Sequence, residues 1–231
     1  MTPLPSPPLP AQEWLLSRWS RGHALLLGAA LAAAVARHAA WPVAACAGPS
    51  FAALLWLGRS SYSPRGRFGW ANRVTALRVL LSLFLTASPA LLTAHGAFAI
   101  VLGVLGLDLL DGWLARRYGD ASPFGAHFDM EADALLVLVV TLRLWLGAGF
   151  ASWVLFPGAL RYAYVLAIWC WPETREAPRS RLGRSAFAIL MLGLLAGLVL
   201  PEPSRTICVL FGSLVVSASF ARSAYFSRAS S

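Results

Sequence analysis

Apolar residues run in long blocks along this chain, and polar residues gather in the short stretches between them. A helix crossing about 30 Å of hydrocarbon at about 1.5 Å per residue needs about 20 such residues. By that measure spans are predicted at 22–36, 39–58, 73–93, 96–116, 127–147, 151–171, 184–200 and 206–226. Small and turn-forming residues mark the joints, at Thr93-Ala94-His95-Gly96, Gly147-Ala148-Gly149 and Pro201-Glu202-Pro203. The first block is short and, with Arg18 and Arg21 ahead of it and Ala34 and Ala36 inside it, is built like a signal peptide. Because a second apolar block comes at once, an uncleaved first span or a tilted interfacial helix is the favoured reading. Residues 1–12 hold five prolines and read as a disordered leader.

Composition agrees with this pattern. The 231 residues are 58% hydrophobic and 13% charged, about half the charge usual in a soluble domain. That excludes an ordinary cytosolic enzyme, a disordered chain and a disulfide scaffold. The fold predicted is all-α, a polytopic membrane helix bundle, with an N-terminal membrane hairpin over 13–70 and a six-span core over 71–231. Cys46, Cys170 and Cys208 are scattered without C-x-x-C spacing, so neither a zinc site nor a redox pair is expected.

The net charge of +9 comes from arginines lying between the apolar blocks, not from a continuous basic helix with interleaved aromatics. An anionic membrane surface, not nucleic acid, is the expected partner. Four arginines fall between Arg59 and Arg73, Arg116 and Arg117 come after the fourth block, and four more lie between Pro172 and Arg184. The joints near His95 and Gly149 carry no charge. The positive-inside rule therefore puts the arginine-bearing loops and both termini in the cytoplasm. Most tryptophans, such as Trp56, Trp70, Trp113, Trp153, Trp169 and Trp171, fall near span ends as interfacial anchors.

Six of the ten carboxylates lie between Asp108 and Asp133. Asp108 and Asp111 are three apart, and Asp129 and Asp133 four apart, so each pair shares a helical face near the cytoplasmic end of its span. Two antiparallel helices joined by a short loop can bring the four together. Clustered anions at a bilayer edge need a neutralising partner, and oxygen donors without His or Cys favour Mg²⁺, Mn²⁺ or Ca²⁺ over zinc. Asp120, in the loop, and Glu131, which points away from its neighbours, read as helix-end charges in the headgroup layer. His127 is close to the cluster, with a headgroup-facing position expected. Gly112, Ala115 and Gly125 leave room for a planar base and a pyrophosphate, or for close helix packing.

Arg78 and Arg161 lie inside apolar blocks, where an arginine faces a cavity or an anion, here a phosphate, or else snorkels. Arg143 lies toward the uncharged loops and is expected to snorkel or pair structurally.

Residues 108–133 spell D-x-x-D-G-x-x-A-R-x8-G-x-x-x-D-x-x-x-D, fixed by Asp108, Asp111, Gly112, Ala115, Arg116, Gly125, Asp129 and Asp133. This resembles the signature of the CDP-alcohol phosphatidyltransferase family. Asn72-Arg73-Val74-Thr75-Ala76-Leu77-Arg78 is similar to the N-x-x-T-x-x-R that opens the family's first core helix. The resemblance runs from about Asn72 to the C-terminus and leaves the first 70 residues outside it.

The resemblance implies a Mg²⁺- or Mn²⁺-dependent integral membrane enzyme, commonly a homodimer, that passes a phosphoryl-alcohol group from a CDP-linked donor to a hydroxyl and releases CMP. By position it implies that Asp108, Asp111 and Asp129 hold the metal, and that Asp133 ligates it too and acts as base. Gly112 and Ala115 would admit the cytidine diphosphate, Arg116 would sit near the phosphates, and Asn72 and Thr75 would line the nucleotide pocket. Arg181 and Arg184 around Gly183 are similar to a Gly-Lys segment of relatives, with arginine in place of lysine. The expected substrates are CDP-diacylglycerol and a small polar alcohol, glycerol 3-phosphate or an inositol phosphate ahead of serine, at a bacterial inner membrane. A polyprenyl-diphosphate prenyltransferase would want two separated aspartate-rich motifs, and an ion-coupled transporter would want midplane acids in two repeated halves; neither pattern is present.

Overall fold

Every residue from Glu131 to Leu144 is buried, on all sides of one helix, and the rest of the molecule is arranged around that axis. The computed structural model describes residues 11–63, 66–87, 92–170 and 181–229. Among these the chain forms α1 (Ala11–Arg37), α2 (Trp41–Leu57), α3 (Trp70–Ala87), α4 (Ala94–Tyr118), α5 (Pro123–Gly147), α6 (Phe156–Cys170), α7 (Arg181–Val199) and α8 (Ser204–Ala229). A short 3₁₀ turn, Ser152–Leu155, leads into α6, and no strand occurs among the described residues.

Among the described residues, each of the eight expected blocks is matched by a helix. The first is not short: α1 begins at Ala11 and runs 27 residues, because Arg18 and Arg21, which precede the apolar block, lie within the helix, Arg18 stacked 4.6 Å over the Trp14 ring. Among the described residues, five segments, 14–37, 94–118, 152–170, 182–199 and 204–225, are long and apolar enough to cross a membrane. The protein is an integral membrane protein. The α2 helix is apolar but shorter, and α3 and α5 carry the charges that the bundle hides. Most of the Pro-rich leader, and most of the arginine loop at 172–184, lie outside the described residues.

The α5 axis packs against α3, α6 and α7, while α1 packs on α2 and α6, and α2 on α3. A continuous apolar run from Ala134 to Val140 explains why α5 shows no polar face there: a helix apolar all round is stable only when surrounded. The α7–α8 pair closes the other side through small residues. A Cβ placed on Gly193 would stand 2.5 Å from the Cys208 carbonyl oxygen, and one on Gly212 would stand 2.9 Å from Leu190 Cα. Without side chains there, the two backbones approach closely enough for dispersion contacts to hold them.

The α4–α5 turn is fixed by its own chemistry. Gly119 takes a left-handed conformation (φ 64°), and both its N–H and that of Asp120 donate to the Ala115 carbonyl, ending α4. Ser122 then caps α5 by accepting from Gly125 N at 2.9 Å, with Pro123 in the first turn, where its missing N–H costs nothing. The turn thereby sets the depth of the acids on both helices. At about 1.5 Å per residue, Asp108 and Asp111 lie roughly 10–15 Å below the end of α4, and Asp129 and Asp133 roughly 9–15 Å below the start of α5.

Candidate functional site

One stripe of α3 meets the four aspartates at that depth. Asn72, Thr75, Arg78, Ser82 and Thr86 recur at spacings of three and four, and all are buried. Ser82 and Thr86 turn their hydroxyls back onto the carbonyls four residues earlier, at 2.9 and 3.1 Å, which leaves the upper half of the stripe to act on its neighbours.

Arg78 is the centre of the site. Its guanidinium is 1% exposed and touches all four carboxylates: Nη2 lies 2.7 Å from Asp108 Oδ1, and Nη1 lies 2.7 Å from Asp111 Oδ2 and 2.6 Å from Asp129 Oδ1. Nη2 also pairs with Asp133 Oδ1. Thr75 donates to Asp111 Oδ2 at 3.1 Å. The four acids are therefore assembled differently from the expectation of two facing helices. The α3 helix packs against both α4 and α5, and its arginine fork bridges the gap between them. A planar fork with several fixed donors suits that task; a lysine would offer a single point charge.

The acids differ in depth. The Asp111 and Asp133 side chains are 8% and 4% exposed, whereas Asp108 and Asp129 are 29% and 26% exposed and stand at the mouth. Carboxylate oxygens of Asp108, Asp111 and Asp129 lie within 4.8 Å of one another, close enough to share one metal ion. The donors are all oxygen, as hard divalent cations prefer. One guanidinium faces four carboxylates, and an excess of acidic groups in a low-dielectric setting favours further cations there. The residues present thus fit Mg²⁺ or Mn²⁺.

The small residues stand beside this mouth. A Cβ on Gly112 would meet nothing nearer than the Arg116 guanidinium at 3.5 Å, an ordinary contact with the far end of a flexible, exposed side chain that can swing aside. Ala115 is half-buried on the same helix. Gly125 is tighter: a Cβ there would come 3.1 Å from Asn72 Oδ1 and 3.3 Å from Ser122 Oγ. Asn72 Nδ2 and Ser122 Oγ both donate to the Tyr62 carbonyl, at 3.1 and 2.8 Å, which ties the α2–α3 loop to the start of α5. Asp120 stays in its loop, its carboxylate over Gly69 at the start of α3.

Three other charges are placed by contacts across the bundle. Arg143 is buried and donates to the Leu92 carbonyl, a structural pairing as expected. Arg161, expected either to reach a phosphate or to snorkel, holds Glu131, Nη2 to Oε1 at 2.6 Å. Glu131 is 1% exposed, which corrects its reading as a headgroup-layer charge. It sits two residues from each of Asp129 and Asp133, hence on the reverse face of α5, but that face looks into α1 and α6 and not toward lipid. His127, half-buried, joins the same reverse face, with Nε2 2.9 Å from Ser20 Oγ of α1. Sequence reasoning misses Ser20, His23 and Ser50, whose polar atoms line this second cluster; the available signal is the spacing of three between Ser20 and His23 in an apolar helix.

Comparison with known proteins bears on the geometry. A stretch of 95 residues is 36% identical to a CDP-diacylglycerol–glycerol-3-phosphate 3-phosphatidyltransferase of Pseudomonas fluorescens, covering 38% of this chain and 47% of that enzyme. The enzyme of the same name from Rickettsia typhi is 38% identical over 72 residues, 31% of this chain and 39% of the relative. A cardiolipin synthase (CMP-forming) of Oryza sativa subsp. japonica is 36% identical over 73 residues, 32% of this chain and 22% of the relative. The matches thus span about half or less of these relatives' lengths. No solved structure gives a significant match. The family model for CDP-alcohol phosphatidyltransferase matches residues 68–220, from the start of α3 into α8 and through every aspartate of the site, and the chain belongs to that family.

Proposed function

We propose that this protein moves the phosphatidyl group of CDP-diacylglycerol to the hydroxyl of a small polar alcohol, releasing CMP. The observation that carries the reading is the gathering of four carboxylates from two helices around one buried cation, beside Gly112, which only the flexible end of Arg116 approaches. Asp108, Asp111, Asp129 and Asp133 would hold Mg²⁺ or Mn²⁺, which when bound offsets the charge of the diphosphate and of the departing CMP.

The chain's own residues do the rest. Asp133 takes the proton of the acceptor hydroxyl as its oxygen bonds to the phosphatidyl phosphorus and the bond from that phosphorus to the CMP oxygen breaks. Thr75 and Arg78 hold Asp111 and its neighbours in place, so the carboxylates need little reorganisation on substrate entry. Gly112 and Ala115 give the nucleotide access to the α4 backbone, Gly125 lets α5 close on Asn72 of α3, and the exposed Arg116 meets a phosphate at the mouth.

Glycerol 3-phosphate leads as acceptor, supported by the names of the Pseudomonas and Rickettsia relatives; an inositol phosphate or serine would use the same chemistry. The arginine-bearing ends of α3 and α4, on the site's side of the bundle, support a cytoplasm-facing site in a bacterial inner membrane. Purified protein given radiolabelled CDP-diacylglycerol and a panel of alcohols should release CMP only when an accepted alcohol and Mg²⁺ or Mn²⁺ are both present. No CMP release with any alcohol, in either metal, rejects the reading.

A further inference from the structure

We infer that Glu131 is a positioning residue, through which α1 and α6 set the rotation of α5 and so aim Asp129 and Asp133. The inference rests on the metal-dependent reading of the site and assigns a task to α1, which lies outside the segment matched by the family model.

Glu131 is two residues from each of two site carboxylates, so about 200° of helix rotation puts it on the opposite side of α5. Whatever holds Glu131 therefore holds the azimuth of both aspartates. Two helices hold it: α6 through Arg161 Nη2 at 2.6 Å, and α1 through the Ser20 hydroxyl at 3.3 Å. With its proton directed to Glu131, the Ser20 oxygen accepts from His127 Nε2–H at 2.9 Å, so α5 is gripped one turn earlier as well.

The anchor itself is braced. His23 lies flat on Trp19, ring centroids 4.4 Å apart, with its Nδ1 2.7 Å from Ser50 Oγ of α2, and Trp19 Nε1 donates to the Ser50 carbonyl at 3.0 Å. Tyr162, next to Arg161, meets the His23 ring edge-on at 5.9 Å. A carboxylate oxygen about 6 Å from a helix axis moves about 1 Å for a rotation of roughly 10°. Displacements of that size cost catalytic sites about 100-fold. Fixing α5 from behind is thus a means of holding the front.

Glu131→Gln keeps the shape and removes the charge that Arg161 requires, and so also leaves a buried guanidinium without its counter-charge. The double variant Glu131→Gln/Arg161→Met removes both charges and separates aim from stability. Mn²⁺ binding to the full-length protein in detergent, read by electron paramagnetic resonance, is the measurement, with thermal unfolding alongside. The double variant should unfold near the wild-type temperature yet bind Mn²⁺ about tenfold more weakly, the scale seen when groups that orient metal ligands are lost. Ser20→Ala, which keeps both charges, should shift affinity in the same direction. Mn²⁺ affinities within about twofold of wild type in both the double variant and Ser20→Ala overturn the inference. Wild-type protein that binds no Mn²⁺ overturns the reading beneath it, a distinguishable result.

Discussion

Arg78 of α3 and Asp111 of α4 lie 2.7 Å apart, Nη1 to Oδ2, both buried, and the same guanidinium nitrogen reaches Asp129 of α5 at 2.6 Å. One side chain thereby joins three helices at the depth of the site. Removing it leaves four acids facing one another, so Arg78→Met should lower stability by about 3–5 kcal/mol, the usual cost of orphaning buried charge. Millimolar Mg²⁺ should recover part of that loss, because an ion that binds the folded form alone stabilises it. Thermal unfolding in detergent, with and without Mg²⁺, checks both statements; an unfolding temperature equal to wild type, with no added response to Mg²⁺, contradicts them. Arg78→Lys, a point charge without the fork, should fall between.

Asp133 is the deepest of the four acids, 4% exposed, and pairs with Arg78. Depth suits a group that must hold a proton away from bulk water. Asp133→Asn retains the shape but cannot accept the proton, so turnover should drop by about 10²–10⁴-fold while the protein stays folded. CMP release at saturating substrate, together with an unfolding curve, makes the test. Turnover near wild type in a folded variant rejects Asp133 as the base.

Gly193 of α7 faces the Cys208 carbonyl of α8 with no room for a Cβ. Gly193→Val should therefore destabilise the fold by about 1–3 kcal/mol, as overpacking does. The atoms nearest a Cβ on Gly193 belong to Cys208 and Val209 of α8 and none to Arg78 or the four aspartates, so activity per folded molecule should hold. A loss of turnover without loss of stability would place α7 in the site, contrary to this geometry.

The aspartates and the helices are legible in the sequence because both obey the same period: apolar runs set the helix lengths, and spacings of three and four put each acid pair on one face. The means of assembly is not legible. An arginine at position 78 must face an anion, but the sequence offers a phosphate as readily as the acids 30 or more residues ahead, and only packing of α3 between α4 and α5 selects the acids. Glu131 misleads for a related reason. Facing away from Asp129 and Asp133 implies lipid only if no helix stands behind α5. The helices that do are α6, through Arg161, and α1, whose Ser20 is 111 residues distant and leaves little trace in an apolar stretch.

On the proposed reading, Gly112 keeps space for a ligand and Gly125 keeps space for the fold. A methyl on Gly112 meets only the far end of the Arg116 side chain at 3.5 Å, whereas one on Gly125 crowds Asn72 Oδ1 at 3.1 Å and Ser122 Oγ at 3.3 Å. Within a helix, glycine to alanine contributes about 0.5–1 kcal/mol when nothing is struck. Gly112→Ala should thus leave the protein as stable as before or slightly more so, yet raise KM for the CDP-linked donor by about tenfold, since the volume it fills is one the diphosphate needs. Gly125→Ala should instead disturb the Asn72–Tyr62–Ser122 contacts and lower stability along with turnover. Unfolding curves and donor KM for the two variants give a two-by-two comparison. If Gly112→Ala is stable and its KM is unchanged, that face of α4 is packing surface and the nucleotide approaches elsewhere.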